Sequence, residues 1–312
     1  MKRALTIVCA AVLTAAAHVT AGQEIDPDLV GTWTLSAAEK NVGGGQPTRA
    51  PGPRGVLIID AAGHVFEFFS TTSRNEPEVS QDPERTLANF GGFWGRYAVE
   101  GDGRIAFEGL GGVSPSVHGL EFTRTYELAG DRLVITSTDE PQAQGNTRWT
   151  WQRVPTVEHL TPAYREVVGF WEHVEEGRLN EATGEVQGTS RRAPSVIVYT
   201  PSGFVGVHFP TLGREPFEDP MAPTAQEAQA AVRGYLGYFG TLGVYPGEVS
   251  HNLLSGVSPG TGSILRRYAD IDGDELIVRL QGGGAQPAGD RPRIVTMVRL
   301  RRLSGADEML PR

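Results

Sequence analysis

The chain has 312 residues and carries 28 Lys and Arg against 37 Asp and Glu, a formal net charge of −9. At about 100–200 residues per domain, this length predicts two domains, each large enough to bury its own core. The acidic excess argues against nucleic acid as a partner, because such a chain repels phosphate backbones and gains no affinity from counterion release.

Residues 1–21 are predicted to be a cleavable secretory signal peptide. Lys2-Arg3 precedes an apolar run from Ala4 to Ala17, and Val19-Thr20-Ala21 supplies the small residues of a cleavage site. The run is shorter than the ~20 residues that a membrane-spanning helix needs. We therefore expect a periplasmic or secreted protein with no transmembrane segment in the mature chain. Cys9 would leave with the signal, which excludes disulfides and thiolate metal ligands.

The remaining sequence contains one pattern twice. Gly31-Thr32-Trp33 returns as Gly169-Phe170-Trp171, and Gly112-Val113-Ser114-Pro115 returns as Gly256-Val257-Ser258-Pro259. The separation of about 140 residues is domain-sized and far exceeds the ~20–50 residues of a solenoid repeat. The sequence therefore predicts a tandem duplication, with domains at 24–154 and 166–304, a linker at 155–165 and a C-terminal tail at 305–312.

Short β-strands joined by tight turns are predicted in both copies. In the first, strands at 55–59 and 65–69 flank Asp60-Ala61-Ala62-Gly63, a hairpin turn with glycine where a positive φ is needed. The other predicted strands of this copy are 124–128, 131–135 and 148–153. Their counterparts in the second copy are 195–199, 204–209, 267–271, 275–278 and 294–299.

One helix interrupts the strands of each copy. Thr224-x-x-Glu227 is a capping box that begins an alanine-rich helix, predicted over 225–239 and including Tyr235 and Tyr238. The matching helix of the first copy is predicted to begin at Asp82-Pro83 and to end at Phe93-Trp94-Gly95. About eight strands per copy with one inserted helix predict an all-β fold of two consecutive antiparallel up-and-down barrels. A closed barrel of this size has room for side chains or for one small ligand.

Strand histidines distinguish the second copy from the first. His173, His208 and His251 align with the apolar residues Leu35, Phe68 and Phe107. His173 lies two residues after Trp171, on the same strand face as a residue expected to point inward.

Three interpretations of these histidines stay open. In the first, they are hydrogen-bonded wall or rim residues. In the second, they form a polar ligand pocket together with Tyr199, Tyr238 and Arg267. In the third, His251 and His208 are the acid and base of a catalytic site, because imidazole titrates near neutrality. A metal site is disfavoured because no histidine pair has the short spacing of metal ligands. No cofactor is predicted.

Gly-x-Trp at the start of the first strand, after a proline-initiated turn, resembles the lipocalins and the wider calycin superfamily. The ordered set of Tyr199-Thr200-Pro201-x-Gly203, Gly237-Tyr238-Phe239-Gly240 and Arg266-Arg267-Tyr268 is similar to the bacterial lipocalin-like domain family. The similarity is clearest in residues 166–303 and weaker in 24–154. It implies that Trp33 and Trp171 close the barrel floors and that Arg153 and Arg299, near the last strands, cover them.

The resemblance and the predicted signal together indicate an exported protein that binds a small hydrophobic or amphipathic molecule in a barrel pocket, mainly in the second domain. The predicted ligand-binding residues are His173, Tyr199, His208, Tyr238, His251 and Arg267. The resemblance also allows a lipocalin-fold enzyme of isomerase, hydratase or cyclase type. A third possibility is a structural pseudo-dimer whose surface meets another exported protein.

Overall fold

The computed structural model describes residues 24–41, 46–72, 82–137, 146–258, 260–280 and 293–310. The predicted signal peptide, residues 1–21, lies outside these ranges and stays a prediction. The described residues form two antiparallel β-barrels in series.

The first barrel contains nine strands and one inserted α-helix. The strands are β1 (Gly31–Asn41), β2 (Thr48–Arg49), β3 (Arg54–Ile59), β4 (His64–Ser70), β5 (Phe90–Gly101), β6 (Arg104–Gly112), β7 (Glu121–Ala129), β8 (Arg132–Ser137) and β9 (Asn146–Val154). Helix α1 (Pro83–Asn89) lies between β4 and β5. Short 3₁₀ turns at Pro27–Leu29 and Pro115–Val117 precede β1 and β7.

The second barrel repeats this order. Helix α2 (Pro162–Val167) leads into it, α3 (Ala225–Arg233) is the inserted helix, and α4 (Ala306–Met309) follows the last strand. The strands are β10 (Gly169–Asn180), β11 (Val186–Ser190), β12 (Val196–Tyr199), β13 (Phe204–Pro210), β14 (Tyr235–Tyr245), β15 (Glu248–Gly256), β16 (Ile264–Asp272), β17 (Glu275–Leu280) and β18 (Ile294–Ser304).

Each barrel is closed by its own first strand. β1 pairs with both β3 and β9, and β10 pairs with both β12 and β18, so that eight strands complete each cylinder. The short strands β2 and β11 only extend one end of β1 and β10. The predicted fold class, two consecutive lipocalin-like up-and-down barrels each with a short inserted helix, is confirmed.

The inserted helices end earlier than the sequence predicted. The capping box does begin α3, because the Thr224 side chain accepts from the Glu227 N–H and the Glu227 carboxylate accepts from the Thr224 N–H. The helix stops at Arg233, however, and Tyr235 and Tyr238 lie in β14. Gly234 is the C-cap of α3, and the aromatic residues that follow it favour a pleated strand.

The outer faces of β3, β4 and β5 pack against those of β12, β13 and β14. This apolar layer between the barrels contains Val56, Ile58, Phe66, Phe68, Phe90 and Trp94 from the first, and Val196, Val198, Phe170, Tyr235 and Phe239 from the second. β4 contacts β15, and β13 contacts β6. Because β13 and β15 are the counterparts of β4 and β6, the contact is reciprocal, as across a twofold axis between two subunits.

The C-terminal segment, predicted as a tail, packs onto both barrels. Met309 in α4 is buried in the layer between the barrels. The Glu308 carbonyl accepts a hydrogen bond from the Ala61 N–H at 2.8 Å. The Ser304 hydroxyl donates to the buried Asp60 carboxylate at 2.5 Å. These bonds tie the end of β18 and α4 to the β3–β4 turn of the first barrel.

A tryptophan under an arginine closes one end of the first barrel. The Trp33 Nε1–H donates to the Leu29 carbonyl at 3.0 Å, which fixes the indole on the 3₁₀ turn before β1. The Arg153 guanidinium lies 4.0 Å above the indole and donates to the carbonyls of Val30 and Asp28. It therefore combines a cation–π contact with hydrogen bonds to two carbonyls at the end of the 3₁₀ turn.

In the second barrel this role belongs to Arg302, and the prediction of Arg299 was wrong. The Arg302 guanidinium lies 4.0 Å above Trp171 and donates to the carbonyls of Val168 at 3.1 Å and Glu166 at 2.9 Å. Arg299 pairs instead with Glu275 and Glu175. Trp171 faces Arg302 in β18, whereas Glu175 faces Arg299. The second copy is longer here, because Arg153 follows its backbone partner Asp131 by 22 positions and Arg302 follows the equivalent Asp274 by 28.

Replacement of Arg302 by alanine should destabilise the second barrel by about 2–4 kcal/mol, because charge-assisted hydrogen bonds and a cation–π contact are lost together. Arg299→Ala is the matched control, and loss of its partly exposed ion pairs should cost about 0.2–1 kcal/mol. Urea denaturation monitored by circular dichroism measures both. Equal losses in the two variants would contradict the assignment of Arg302.

Candidate functional site

A cavity of about 810 Å³ opens in the first barrel. It is lined by Ala38 near the end of β1, whereas Trp33 closes the barrel near the start of the same strand. Its apolar walls include Ala50, Phe69, Leu87, Phe90 and Trp149. The cavity is therefore the mouth of the barrel, with mainly apolar walls, at the opposite end from the closing tryptophan.

A buried ion pair lies inside the same barrel, and Arg124 also lines the cavity. Arg124 Nη1 donates to Glu67 Oε2 at 2.6 Å, and the two residues are 6% and 1% exposed. Four rings surround the guanidinium at 4.6–5.6 Å, namely those of Phe93, Phe107, Phe122 and Trp149. The aromatic faces offset part of the several kcal/mol that burial of a charge costs.

The sequence reasoning missed this pair, although the sequence carries a signal for it. Glu67 alternates with Val65 and Phe69, both of which pack in the core of the first barrel. A carboxylate on the inward parity of an apolar strand predicts a buried partner of opposite charge. The first barrel is therefore not the purely aromatic counterpart of a polar second barrel.

In the second barrel, one histidine joins two tyrosines. Tyr238 Oη lies 2.8 Å from His251 Nδ1, and Tyr199 Oη lies 3.2 Å from His251 Nε2. The three residues come from β14, β15 and β12 and are buried. The structure thus brings together three of the predicted ligand-binding residues. Arg267, on the adjacent strand β16, is half-buried beside them.

Burial determines the protonation of this group. It lowers the pKa of His251 to about 3, and the positive charge of Arg267 lowers that pKa further. Burial raises the pKa of Tyr238 to about 12 and also raises that of Tyr199. At neutral pH the imidazole is therefore neutral and both tyrosines keep their hydroxyl hydrogens. The expectation that His251 titrates near neutrality is wrong for the folded protein.

One of the two tyrosine hydroxyl groups can donate a hydrogen bond to a further acceptor. A neutral imidazole donates from one nitrogen and accepts at the other. One tyrosine therefore donates to His251, and the other accepts from it. Within the described ranges, the accepting tyrosine has no second hydrogen-bond partner. Its hydroxyl hydrogen is therefore available to an acceptor other than these side chains, such as a carbonyl oxygen or a water molecule.

His208 lies on the other side of the barrel wall. Val207 and Phe209 face the interior of the second barrel, so His208 between them faces the first. Its Nε2–H donates to the Glu67 carbonyl at 3.0 Å, which leaves Nδ1 to accept from the Tyr235 hydroxyl. Its ring packs on Phe66 and Phe68. The prediction that His208 and His251 form one site is contradicted, because alternate strand residues point to opposite faces.

His173 lies inside the second barrel but is not part of the hydrogen-bonded group. Its ring is 5.5 Å from that of Phe209, edge to face. Burial lowers its pKa, and in the part of the chain that the structure describes its Nε2 has no hydrogen-bond partner. Three or more metal-ligating side chains do not converge anywhere among the described residues. Over the same ranges, no helix is long and apolar enough to cross a membrane.

Comparison with known proteins identifies the domain type. Residues 168–301 match the family described as "Lipocalin-like domain". This match covers the second barrel. The first barrel has the same strand order, so the two closed barrels fit a tandem lipocalin-like domain protein. No curated protein matches the chain significantly.

Two solved structures show a weak likeness to the chain. A protein of unknown function from the DUF3598 family of Nostoc punctiforme is 10% identical, with 88% of this chain and 97% of that chain covered and a TM-score of 0.23. A putative outer membrane protein from Bacteroides fragilis is 11% identical, with 89% and 100% covered and a TM-score of 0.23. Neither likeness carries an argument about the present chain.

The buried His208 should make stability depend on pH. Its pKa is lowered from 6.5 to about 3 on folding, so the unfolded chain binds one more proton between these pH values. This contribution is present above pH 6.5 and is lost as the pH falls. Urea denaturation from pH 7 to 5 should show a loss of unfolding free energy that is about 2 kcal/mol smaller in His208→Gln than in the wild type.

The control for this measurement is His159→Gln, at an exposed position of the linker. It should leave the wild-type pH dependence unchanged, because the buried His208 is still present. An identical pH dependence in His208→Gln and the wild type would show that His208 is not held neutral by burial.

Proposed function

We propose that the protein is exported and binds a small hydrophobic or amphipathic molecule in the cavity of the first barrel. The predicted signal peptide supports export. The cavity of about 810 Å³ carries the binding proposal, because it falls within the ~300–1,000 Å³ of typical ligand pockets. Its walls are mainly apolar, and its charged lining residues are Arg124, Glu39, Lys40, Arg49 and Glu84. That combination suits a ligand with a large apolar part and a polar feature.

This proposal moves the main site from the second barrel, where the sequence pattern had located it, to the first. In the second barrel, Tyr199, Tyr238 and His251 bond to one another in the interior. In the first, the mouth between β1, β5 and β9 is open and lined by Phe90 and Trp149. An apolar ligand bound in such a mouth removes both its own apolar surface and that of the walls from water, and this burial favours binding.

Filling the cavity should abolish binding. Ala50 lines the cavity and is only partly buried, so Ala50→Trp places an indole in the mouth without disturbing a tightly packed position. Freshly purified wild type should show co-purified lipid-like mass in native mass spectrometry and saturable binding of 1-anilinonaphthalene-8-sulfonate. Ala50→Trp should weaken probe binding by at least about tenfold, or about 1.4 kcal/mol.

The matched control is Val157→Trp, which adds the same side chain at an exposed linker position. It should bind the probe as the wild type does. Unchanged binding in Ala50→Trp would place the ligand elsewhere. Absence of any saturable binding in the wild type would contradict the proposed function.

A second candidate function rests on the available tyrosine hydroxyl of the second barrel. We propose that this hydroxyl donates a hydrogen bond to a carbonyl oxygen and that Arg267 stabilises negative charge developing there. Hydrogen-bond donors arranged in advance around a developing oxyanion supply a large share of catalysis in many enzymes. His251 then orients the tyrosines as a neutral group, since its low pKa makes it a weak base. An isomerase that polarises a carbonyl group fits this chemistry.

Phenolate ions test this candidate, because they mimic an oxyanion and report their binding by absorbance. Wild type should bind 4-nitrophenolate, and Tyr199→Phe/Tyr238→Phe should bind it at least about tenfold more weakly, because the donor is lost. Tyr245→Phe, at an exposed position, is the control. Equal affinities in the double variant and the control would rule out a hydrogen-bonding role for the pair.

A further inference from the structure

The second domain lines the cavity of the first barrel through one connection. Residues 211–224, which we call the bridging segment, join β13 to α3. They contribute Phe217, Pro220, Met221 and Pro223 to the cavity lining. Phe217 is buried and Met221 is half-buried. The mouth of one barrel is therefore bordered by side chains of the other.

Arg214 anchors the bridging segment to the first barrel. Its Nη1 donates to the Gly112 carbonyl at 2.9 Å and its Nη2 to the Val113 carbonyl at 2.5 Å. The same Nη2 also donates to the Ala231 carbonyl in α3 at 3.2 Å. The guanidinium lies 5.0 Å from the Tyr235 ring. One arginine thus binds carbonyls of both domains at the beginning of the segment.

Further bonds hold the middle and the end of the segment. The Phe217 N–H donates to the Ser116 hydroxyl of the first domain at 2.9 Å. The Glu227 carboxylate accepts from the Glu218 N–H at 2.8 Å and from the Thr224 N–H at 2.8 Å. Because both ends are bonded, Phe217 and Met221 stand at defined positions over the mouth.

We infer that the ligand site of the first barrel is completed by the second domain, with Phe217 and Met221 of the bridging segment selecting the apolar part of the ligand. This inference rests on the proposed function. The ligand's apolar part then lies between Trp149 and Phe90 on one side and these two residues on the other. Phe217 supplies a fixed wall, and the flexible methionine adapts to ligands of different shape.

The test uses the full chain and 1-anilinonaphthalene-8-sulfonate as the probe. Met221→Glu places a carboxylate beside the apolar and anionic probe, and its matched control Leu212→Glu changes a more exposed residue of the same segment that does not line the cavity. We expect at least about tenfold weaker binding in Met221→Glu and a change below about twofold in the control.

Phe217→Leu is a second variant that preserves an apolar residue at a buried position, and it should weaken the probe by about threefold or more through loss of ring contact. Circular dichroism melting compares the folding of all variants. If the wild type and both variants bind alike while Ala50→Trp does not bind, the bridging segment is not part of the site and the proposed function stands. If the wild type does not bind, both proposals fall.

Discussion

The apolar layer between the two barrels determines how the second domain borders the cavity of the first. A single barrel would expose Phe66, Phe68 and Phe170 on its outer wall, whereas packing removes them from water. Polar bonds make this packing directional. Ser70 bonds Ser255 at 2.7 Å across the layer, and a buried hydroxyl without its partner would cost about 1–3 kcal/mol. The fixed orientation of the domains in turn holds the bridging segment over the mouth of the first barrel.

Duplication has given equivalent wall positions different chemistry without changing which way they face. Phe107 and its counterpart His251 both face the inside of their barrels, and Phe68 and its counterpart His208 both face the layer between them. The interior substitution accompanies the hydrogen-bonded group with Tyr199 and Tyr238. The outer substitution supplies a donor for a carbonyl of the other barrel. The same difference, a phenylalanine in one copy and a histidine in the other, therefore acts inside a barrel in one case and between the barrels in the other.

The sequence was sufficient to predict the duplication, the strand order and the hairpins, because glycine turns and short apolar runs are local signals. It was insufficient for the direction of side chains in strands that are buried on both faces, since Val56 to Ile59 shows no polar alternation. The pattern therefore does not distinguish lumen positions from those of Phe66, Phe68 and Trp94, which pack between the barrels. The closing arginine was misplaced because six more residues lie between Asp274 and Arg302 than between Asp131 and Arg153, and the sequence does not show where such an insertion falls relative to the last strand.

Glu67 connects the layer between the barrels with the cavity of the first. Its carboxylate bonds Arg124 inside the barrel, while its carbonyl accepts from His208 of the second domain. A neutral His208 with Nδ1 occupied by Tyr235 must donate through Nε2, so the peptide of Glu67 is held at a defined position. The position of the Glu67 carboxylate beside Arg124 inside the barrel therefore depends on the packing of the two domains. A change in that packing would alter the polar end of the cavity as well as its apolar rim.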